Sequence, residues 1–280
     1  MNLRKIYYFL NPEIRLLARR IYYFPKDILS LIFKNRHSII PPNGMIFVGG
    51  GNFRKIGSMY LQRFKNLNLI QPSYRVLDIG CGIGRIAIPL TTFLSLEGSY
   101  EGFDIVKSGI TWCNRHIKSN FSNFNFTHIN LKNSLYNSKS KEIAKDLKFP
   151  YPDDEFDFVI ATSLFTHMLV EDMDNYLSEI HRVLKKDGIC YATFFLLNIE
   201  SKISMASHDG LNFIFNHGEY STYNHRVKEA NVAYEEEYIL NKYLPKNGLN
   251  PDKILYGFWC GRDRITSFDF QDTILISKIK

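Results

Sequence analysis

The stretch Arg75-Val76-Leu77-Asp78-Ile79-Gly80-Cys81-Gly82-Ile83-Gly84-Arg85 decides the fold. A short apolar strand ends in an acid, passes through glycines at every second position, and enters the apolar run from Ile86 to Leu90. That order is a strand, a backbone-exposing turn and a helix start. It puts a nucleotide-type pocket at the carboxyl edge of a parallel sheet. The Asp-x-Gly-x-Gly-x-Gly spacing departs from the dinucleotide fingerprint Gly-x-Gly-x-x-Gly.

Downstream, strand and helix patterns alternate. A helix is expected over 85–96, a second strand over 100–103 closed by Asp104, and a helix over 109–118. A third strand is expected over 124–129 and a fourth over 156–162. Met173, Leu177, Ile180 and Leu184 mark a helix over 170–184. Lys186-Asp187-Gly188 is expected to stop that helix before a fifth strand over 189–195. Strands over 253–260 and 273–277 close the chain. The alternation predicts an α/β, doubly wound, Rossmann-like sheet of seven strands. Residues 198–237, rich in His, Tyr, Asn and Ser, show weak periodicity and are expected to form a long loop of the lid type.

Upstream, residues 1–36 are expected to form two amphipathic helical pieces broken near Pro12 and Pro25. Pro41-Pro42-Asn43-Gly44 signals a turn, Gly49-Gly50-Gly51 follows a short apolar run, and 56–69 has a helical pattern. The expected domains are a basic–aromatic extension over 1–70 and a ligand-binding domain over 71–280, with a lid over 198–245.

The 280 residues carry a net charge of +7. Residues 1–63 hold eleven Lys or Arg against Glu13 and Asp27, a net +9, which leaves −2 for the rest. The basicity therefore belongs to the amino-terminal segment. Cys81, Cys113, Cys190 and Cys260 are scattered without a Cys-x-x-Cys pair, so no disulfide framework and no metal site are expected. A reducing cytoplasm fits. No apolar run approaches the ~20 residues a membrane span needs, and the first ten residues do not resemble a signal peptide.

Several motifs in order give this chain a resemblance to class I S-adenosylmethionine (SAM) methyltransferases over most of residues 70–280. They are the glycine loop over 76–85, Glu101-Gly102-Phe103-Asp104, the run from Phe156 to Met168, and Arg182-Val183-Leu184-Lys185-Lys186-Asp187-Gly188. Gly257-Phe258-Trp259 and Gln271-Asp272 look like a bacterial branch whose members often lie among genes for surface-glycan or secondary metabolism. The resemblance implies SAM as cofactor. It assigns Asp78, Gly80, Cys81, Gly82 and Gly84 to the methionyl and ribose side. Asp104, twenty residues past Gly84, goes to the ribose hydroxyls and Ile105 to the adenine face. Asn130 stands where the family commonly has an acid facing the adenine amino group, and an amide oxygen accepts the same hydrogen bond. Ser163 leaves strand four where the sulfonium lies in this family.

The resemblance implies methyl transfer to a small-molecule or glycan acceptor, with oxygen as the expected atom. His167 is then the candidate base, against the plain alternative of a structural histidine bonding a backbone carbonyl. His208, His217, His225, Tyr220 and Tyr223 are rivals. Arg262 or Arg264 either meets an anionic substrate or sits in a solvated loop. Residues 1–36 either cover the acceptor pocket or make a peripheral membrane contact at the inner membrane face. Nucleic acid is not an expected partner, because the body carries no matching basic face. N-methylation and lipid methylation are the alternatives within the family. Outside it stand a nicotinamide oxidoreductase, disfavoured by the glycine spacing and the lack of a Tyr-x-x-x-Lys pair, and a non-catalytic membrane-docking module.

Overall fold

Strand β1 (Arg75–Ile79) is buried from its second residue onward, as a central parallel strand covered on both faces must be. It pairs in parallel with β2 (Ser99–Asp104), which pairs in parallel with β3 (Phe124–His128). Strand β4 (Phe156–Ala161) pairs in parallel with β5 (Leu184–Phe194). The computed structural model describes residues 12–33, 38–133, 137, 140–207 and 210–279. Three further short strands and β9 (Val232–Glu235) follow β5, and β10 (Leu249–Leu255) and β11 (Asp272–Lys278) close the chain. The main sheet has seven strands in the order β10-β11-β5-β4-β1-β2-β3, with β11 antiparallel to both neighbours. The doubly wound seven-stranded expectation holds.

The chain forms two units. The first ends at Asn130 and also takes Asn137; the second begins at Leu131. The sequence-based boundary near residue 70 falls inside the first unit.

In the first unit, helix α1 (Pro12–Ile32) runs unbroken through Pro25, where a break was expected. A clamp on either side of the proline accounts for this. Asp27 Oδ1 accepts from Asn43 N (2.7 Å) and Asn43 Nδ2 (2.9 Å), and Oδ2 accepts from Gly44 N (2.8 Å). Arg19, before the proline, donates Nε to Asn43 O at 3.3 Å. Gly44 permits the contact, since a Cβ there would lie 2.9 Å from Arg20 Cα. Residues 1–11 and 34–37 of the expected extension lie outside the described residues.

The helix expected over 85–96 is only Ala87–Leu90. Pro89 has no N–H to give Arg85 O, and Thr91 and Thr92 turn their hydroxyls back to Ile88 O and Pro89 O. In the second unit the helix Val170–Val183 passes straight into β5 at Leu184. The expected turn at Lys186-Asp187-Gly188 is absorbed as an irregularity in the strand, where the register slips from Phe156↔Leu184 to Phe158↔Ile189.

The expected long loop after β5 is a second sheet. Its strands are β6 (Leu196–Leu197), β7 (Phe215–Asn216), β8 (Tyr220–Thr222) and β9, in the order β6-β9-β8-β7. A core of Phe195, Leu197, Met205, Phe213, Ala233 and Trp259 holds it. Strands of two to four residues are too short to show a period of two, which is why the pattern resembles a loop.

Candidate active site

Three glycines of the β1 loop have left-handed backbones: Gly80 (φ 76°), Gly82 (φ 61°) and Gly84 (φ 81°). Only glycine adopts these without strain. Gly82 is also a close approach, since a Cβ there would lie 2.4 Å from Val48 Cγ1. The loop's N–H groups, expected to face a ligand, are largely spent on the protein. Gly80 N and Cys81 N both donate to Phe103 O (2.9 and 3.0 Å), and Gly84 N donates to Cys81 O at 3.0 Å. Gly82 N donates to Asp104 Oδ2 at 2.9 Å. The helix after the loop, at four residues, is too short to act as a dipole. The glycines thus shape the loop rather than present a row of donors.

Asp104 closes β2 and is buried. Its Oδ1 accepts from Val106 N at 2.7 Å, opposite the Gly82 bond, so the carboxylate ties the β2 exit to the glycine loop. Burial pushes its carboxyl up to about 6, against the lowering effect of the Val106, Gly82 and Ile105 backbone donors. Each carboxylate oxygen keeps a further lone pair. Ile105 follows it, half-buried.

Asp78 sits one strand over, 1% exposed. Tyr100 donates its hydroxyl to Asp78 Oδ2 at 2.6 Å, while Oδ1 is buried with no hydrogen-bond partner. Burial pushes the carboxyl up to about 7. Asp104 adds to the rise, whereas the Tyr100 bond and the Arg85 charge oppose it. Tyr100, Gly102 and Asp104 share one face of β2 by alternation. Gly102 leaves room there, since a Cβ would lie 3.0 Å from both Tyr100 Cε1 and Cys81 Sγ. Sequence reasoning missed Tyr100. The period-two link to Asp104 was the available signal. Cys81 turns its side chain into the core, where burial raises its thiol far above the ordinary range. Any contact it makes with a ligand would be through its backbone.

Asn130 is exposed, and its Oδ1 accepts from Asn137 Nδ2 at 2.9 Å, a local bond within the first unit. Phe47, Val48 and Gly49 form a strap over the loop. A Cβ on Gly109 would meet Phe47 Cζ at 3.0 Å, and one on Gly49 would meet Arg85 Nη2 at 3.2 Å. This gives the Gly49-Gly50-Gly51 signal a place beside the glycine loop.

The second unit carries Ser163 and His167. Ser163 has φ 53°, a conformation costing about 1–3 kcal/mol for a residue with a side chain. Its N–H donates to Thr193 Oγ1 (2.7 Å) and its hydroxyl to Gln271 Oε1 (3.0 Å). Thr193 Oγ1 donates to the same Gln271 oxygen at 2.8 Å. His167 lies on a 3₁₀ turn, Phe165–His167, that Tyr234 holds by sharing its one hydroxyl proton between Met168 O (2.7 Å) and Phe165 O (3.0 Å). Its Nδ1 lies 2.9 Å from Glu229 O. A carbonyl only accepts, so Nδ1 carries the proton. Burial lowers the imidazole below its usual value, with the backbone bonds to Glu229 and Ala230 opposing.

Among the rival bases, His217 Nε2 lies 3.2 Å from Thr222 Oγ1 and stacks on Tyr220 at 4.8 Å. His208 lies outside the described residues. Arg262 is held by protein partners rather than solvated. Its side chain is 7% exposed, pairs with Asp272 Oδ1 at 3.1 Å and Glu200 Oε2 at 3.2 Å, and lies over the Tyr256 ring at 4.7 Å.

The donor set fits SAM. A buried carboxylate oxygen without a donor suits an ammonium, and a second carboxylate at the next strand end suits a diol. A family model described as "Methyltransferase domain" matches residues 70–217. An arsenite methyltransferase of Aquipseudomonas alcaligenes is 26% identical over 134 residues, 46% of this chain and 36% of that protein. The tRNA N(3)-cytidine methyltransferase METTL2 of Gallus gallus is 27% identical over 125 residues, 42% of this chain and 29% of that protein. Each match thus spans about a third of the curated relative. A solved SAM-dependent methyltransferase from Clostridium acetobutylicum superposes with a TM-score of 0.53 at 14% identity, covering 92% of this chain and 99% of that one, and shows the same fold. The β1 loop, the acids at the ends of β1 and β2 and the seven-stranded order all lie within or extend the matched region, and the chain belongs to the methyltransferase-domain family of the class I SAM-dependent superfamily.

Proposed function

We propose that this chain transfers a methyl group from SAM to an oxygen of a small-molecule or glycan acceptor. The observation that carries the cofactor reading is the buried, unpartnered Oδ1 of Asp78 beside the left-handed glycine loop. An ammonium placed there would supply the missing donor. Asp104 would accept from the ribose hydroxyls with its remaining lone pairs, Ile105 would cover the adenine face, and Asn130 would meet the adenine amino group once its bond to Asn137 yields. The family resemblance also implies Ser163 as a cofactor contact. SAM would supply an activated methyl on a sulfonium, so the protein's task is alignment and exclusion of water.

The raised Asp78 pKa gives this reading a pH signature. A carboxyl whose folded pKa exceeds its unfolded 3.8 favours the protonated form on folding. Its contribution to stability is complete below the unfolded value and is lost as pH rises through about 7. Capture of an ammonium needs the ionised form, so SAM affinity runs the other way. It should fall by up to about tenfold per pH unit below the Asp78 pKa and level off above it. Calorimetry in buffers of different ionisation enthalpy should show proton release near pH 6.5. Asp78→Asn should abolish both the slope and the release.

For the acceptor, the −2 charge of residues 64–280 favours a small organic molecule over nucleic acid. With Nδ1 donating to Glu229 O, the neutral ring of His167 has its lone pair on Nε2. The lowered pKa keeps it neutral at pH 7, as a base for a hydroxyl acceptor requires. His167→Asn should lower kcat about 10²–10⁴-fold with the SAM affinity intact. An unchanged kcat would remove the base and favour an amine acceptor. The test of the function is transfer of labelled methyl from SAM into fractionated cell extract. Label in low-molecular-weight or glycan fractions supports the reading, and label confined to RNA or protein contradicts it.

A further inference from the structure

Helix α1 is amphipathic with the wrong face inward. Its polar side, Arg19 and Asp27, bonds the Asn43–Met45 turn of the same unit. Its apolar side, Ile14, Leu17, Ile21, Phe24, Ile28 and Leu31, is exposed, with Ile21 at 66% and Phe24 at 63%. Tyr22, Leu29, Ile32 and Phe33 are exposed too and widen the face. A patch of this size on one helix marks an interaction surface.

Beside it, in the same unit, lies a cavity of about 530 Å³ lined by Arg20, Lys107, Arg115, Trp112 and His116 among others, with no carboxylate in its wall. Neither Asp78 nor Asp104 nor any loop glycine lines it. Arg20, Lys107 and Arg115 have no carboxylate within ion-pair distance among the described residues. Trp112 stacks on His116 at 3.7 Å, and its Nε1 is buried without an acceptor. Three cations around one hollow suit a phosphate. Arg20 belongs to both the helix and the cavity.

We infer that α1 lies in the interface of an anionic bilayer with its apolar face immersed, and that the adjoining cavity takes the phosphate of a lipid headgroup. A second copy of the chain is the other occupant such a helix suggests, and the Ile14-to-Leu31 residues do follow coiled-coil spacing. The width of the face favours the bilayer, because a coiled-coil seam is narrow. The charges agree. Arg20 and Lys26 are exposed on this helix, Asp27 is turned inward, and residues 1–63 carry a net +9. Among the described residues no helix is long and apolar enough to cross a membrane, so the contact lies on the bilayer. The inference stands apart from methyl transfer.

Flotation of the full chain with vesicles tests it. The parent should float with phosphatidylglycerol-containing vesicles, weakly with phosphatidylcholine alone, and less as salt rises. Ile21→Glu with Phe24→Glu should lower vesicle binding at least tenfold. So should Lys107→Glu with Arg115→Glu on phosphatidylglycerol, while leaving the phosphatidylcholine background unchanged. All four positions are exposed, so circular dichroism should match the parent. Failure of the parent to float overturns the inference. So does a dimer in sedimentation velocity that the Ile21/Phe24 variant abolishes without any vesicle binding by the parent. Flotation that ignores the Lys107/Arg115 variant overturns the headgroup site.

Discussion

Asp272→Ala should be the most destabilising single substitution in the second unit, at about 3–5 kcal/mol, the usual cost of breaking a buried charge pair. The Asp272 carboxylate is fully buried. It accepts from Leu196 N (2.8 Å), Gly257 N (2.8 Å), Trp259 Nε1 (2.6 Å) and Arg262 Nη1 (3.1 Å). Those donors stand at the start of the second sheet, in the closing hairpin and in the core that holds both. The substitution orphans three neutral donors and takes the buried carboxylate from a guanidinium whose side chain is 7% exposed and which keeps only Gly257 O at 3.1 Å and the exposed Glu200 at 3.2 Å close by. Urea unfolding followed by Trp259 fluorescence should report the loss. Arg262→Met should cost less, because Asp272 keeps three N–H donors. A change under about 1 kcal/mol for Asp272→Ala, the scale of one ordinary hydrogen bond, would mean that the carboxylate organises nothing.

The second large effect is expected at Asp104. Alanine there removes two proposed ribose acceptors and the brace between Gly82 N and Val106 N. Hydrogen bonds to a charged group contribute about 1.5–3 kcal/mol each, so SAM affinity should fall about a hundredfold or more. The loop would loosen as well, and the melting temperature should drop with or without ligand. Asp104→Asn separates the effects. Its amide keeps the shape but turns an N–H toward either Gly82 N or Val106 N, so it should bind poorly while unfolding less readily than the alanine variant.

The β1 loop was legible because its signals are local: an apolar run, an acid at its end, and glycines where the backbone turns left-handed. Asp104 was legible from its distance to Gly84 in a repeating architecture. What the loop does with its N–H groups was not, because their acceptors, Phe103 O and the Asp104 carboxylate, come from the next strand. The same limit explains Pro25. Its ring argues for a break locally, and the Asp27 and Arg19 bonds to a turn sixteen or more residues away override it. Arg262 looked like a loop cation because Asp272, its partner, is ten residues on and buried by the second sheet. The second sheet itself was hidden by strands too short to show a period and by a core assembled around Trp259 from beyond the segment.

Methyl transfer by this chain requires the crevice between the ends of β1 and β2 to capture a sulfonium nucleoside. Isothermal titration of the parent and of Asp104→Ala with SAM and with NADH is the direct measurement. Saturable one-to-one heat with SAM, none with NADH, and a loss of about two orders of magnitude in the variant are expected. No heat from the parent with SAM, or equal affinity in both proteins, would contradict it.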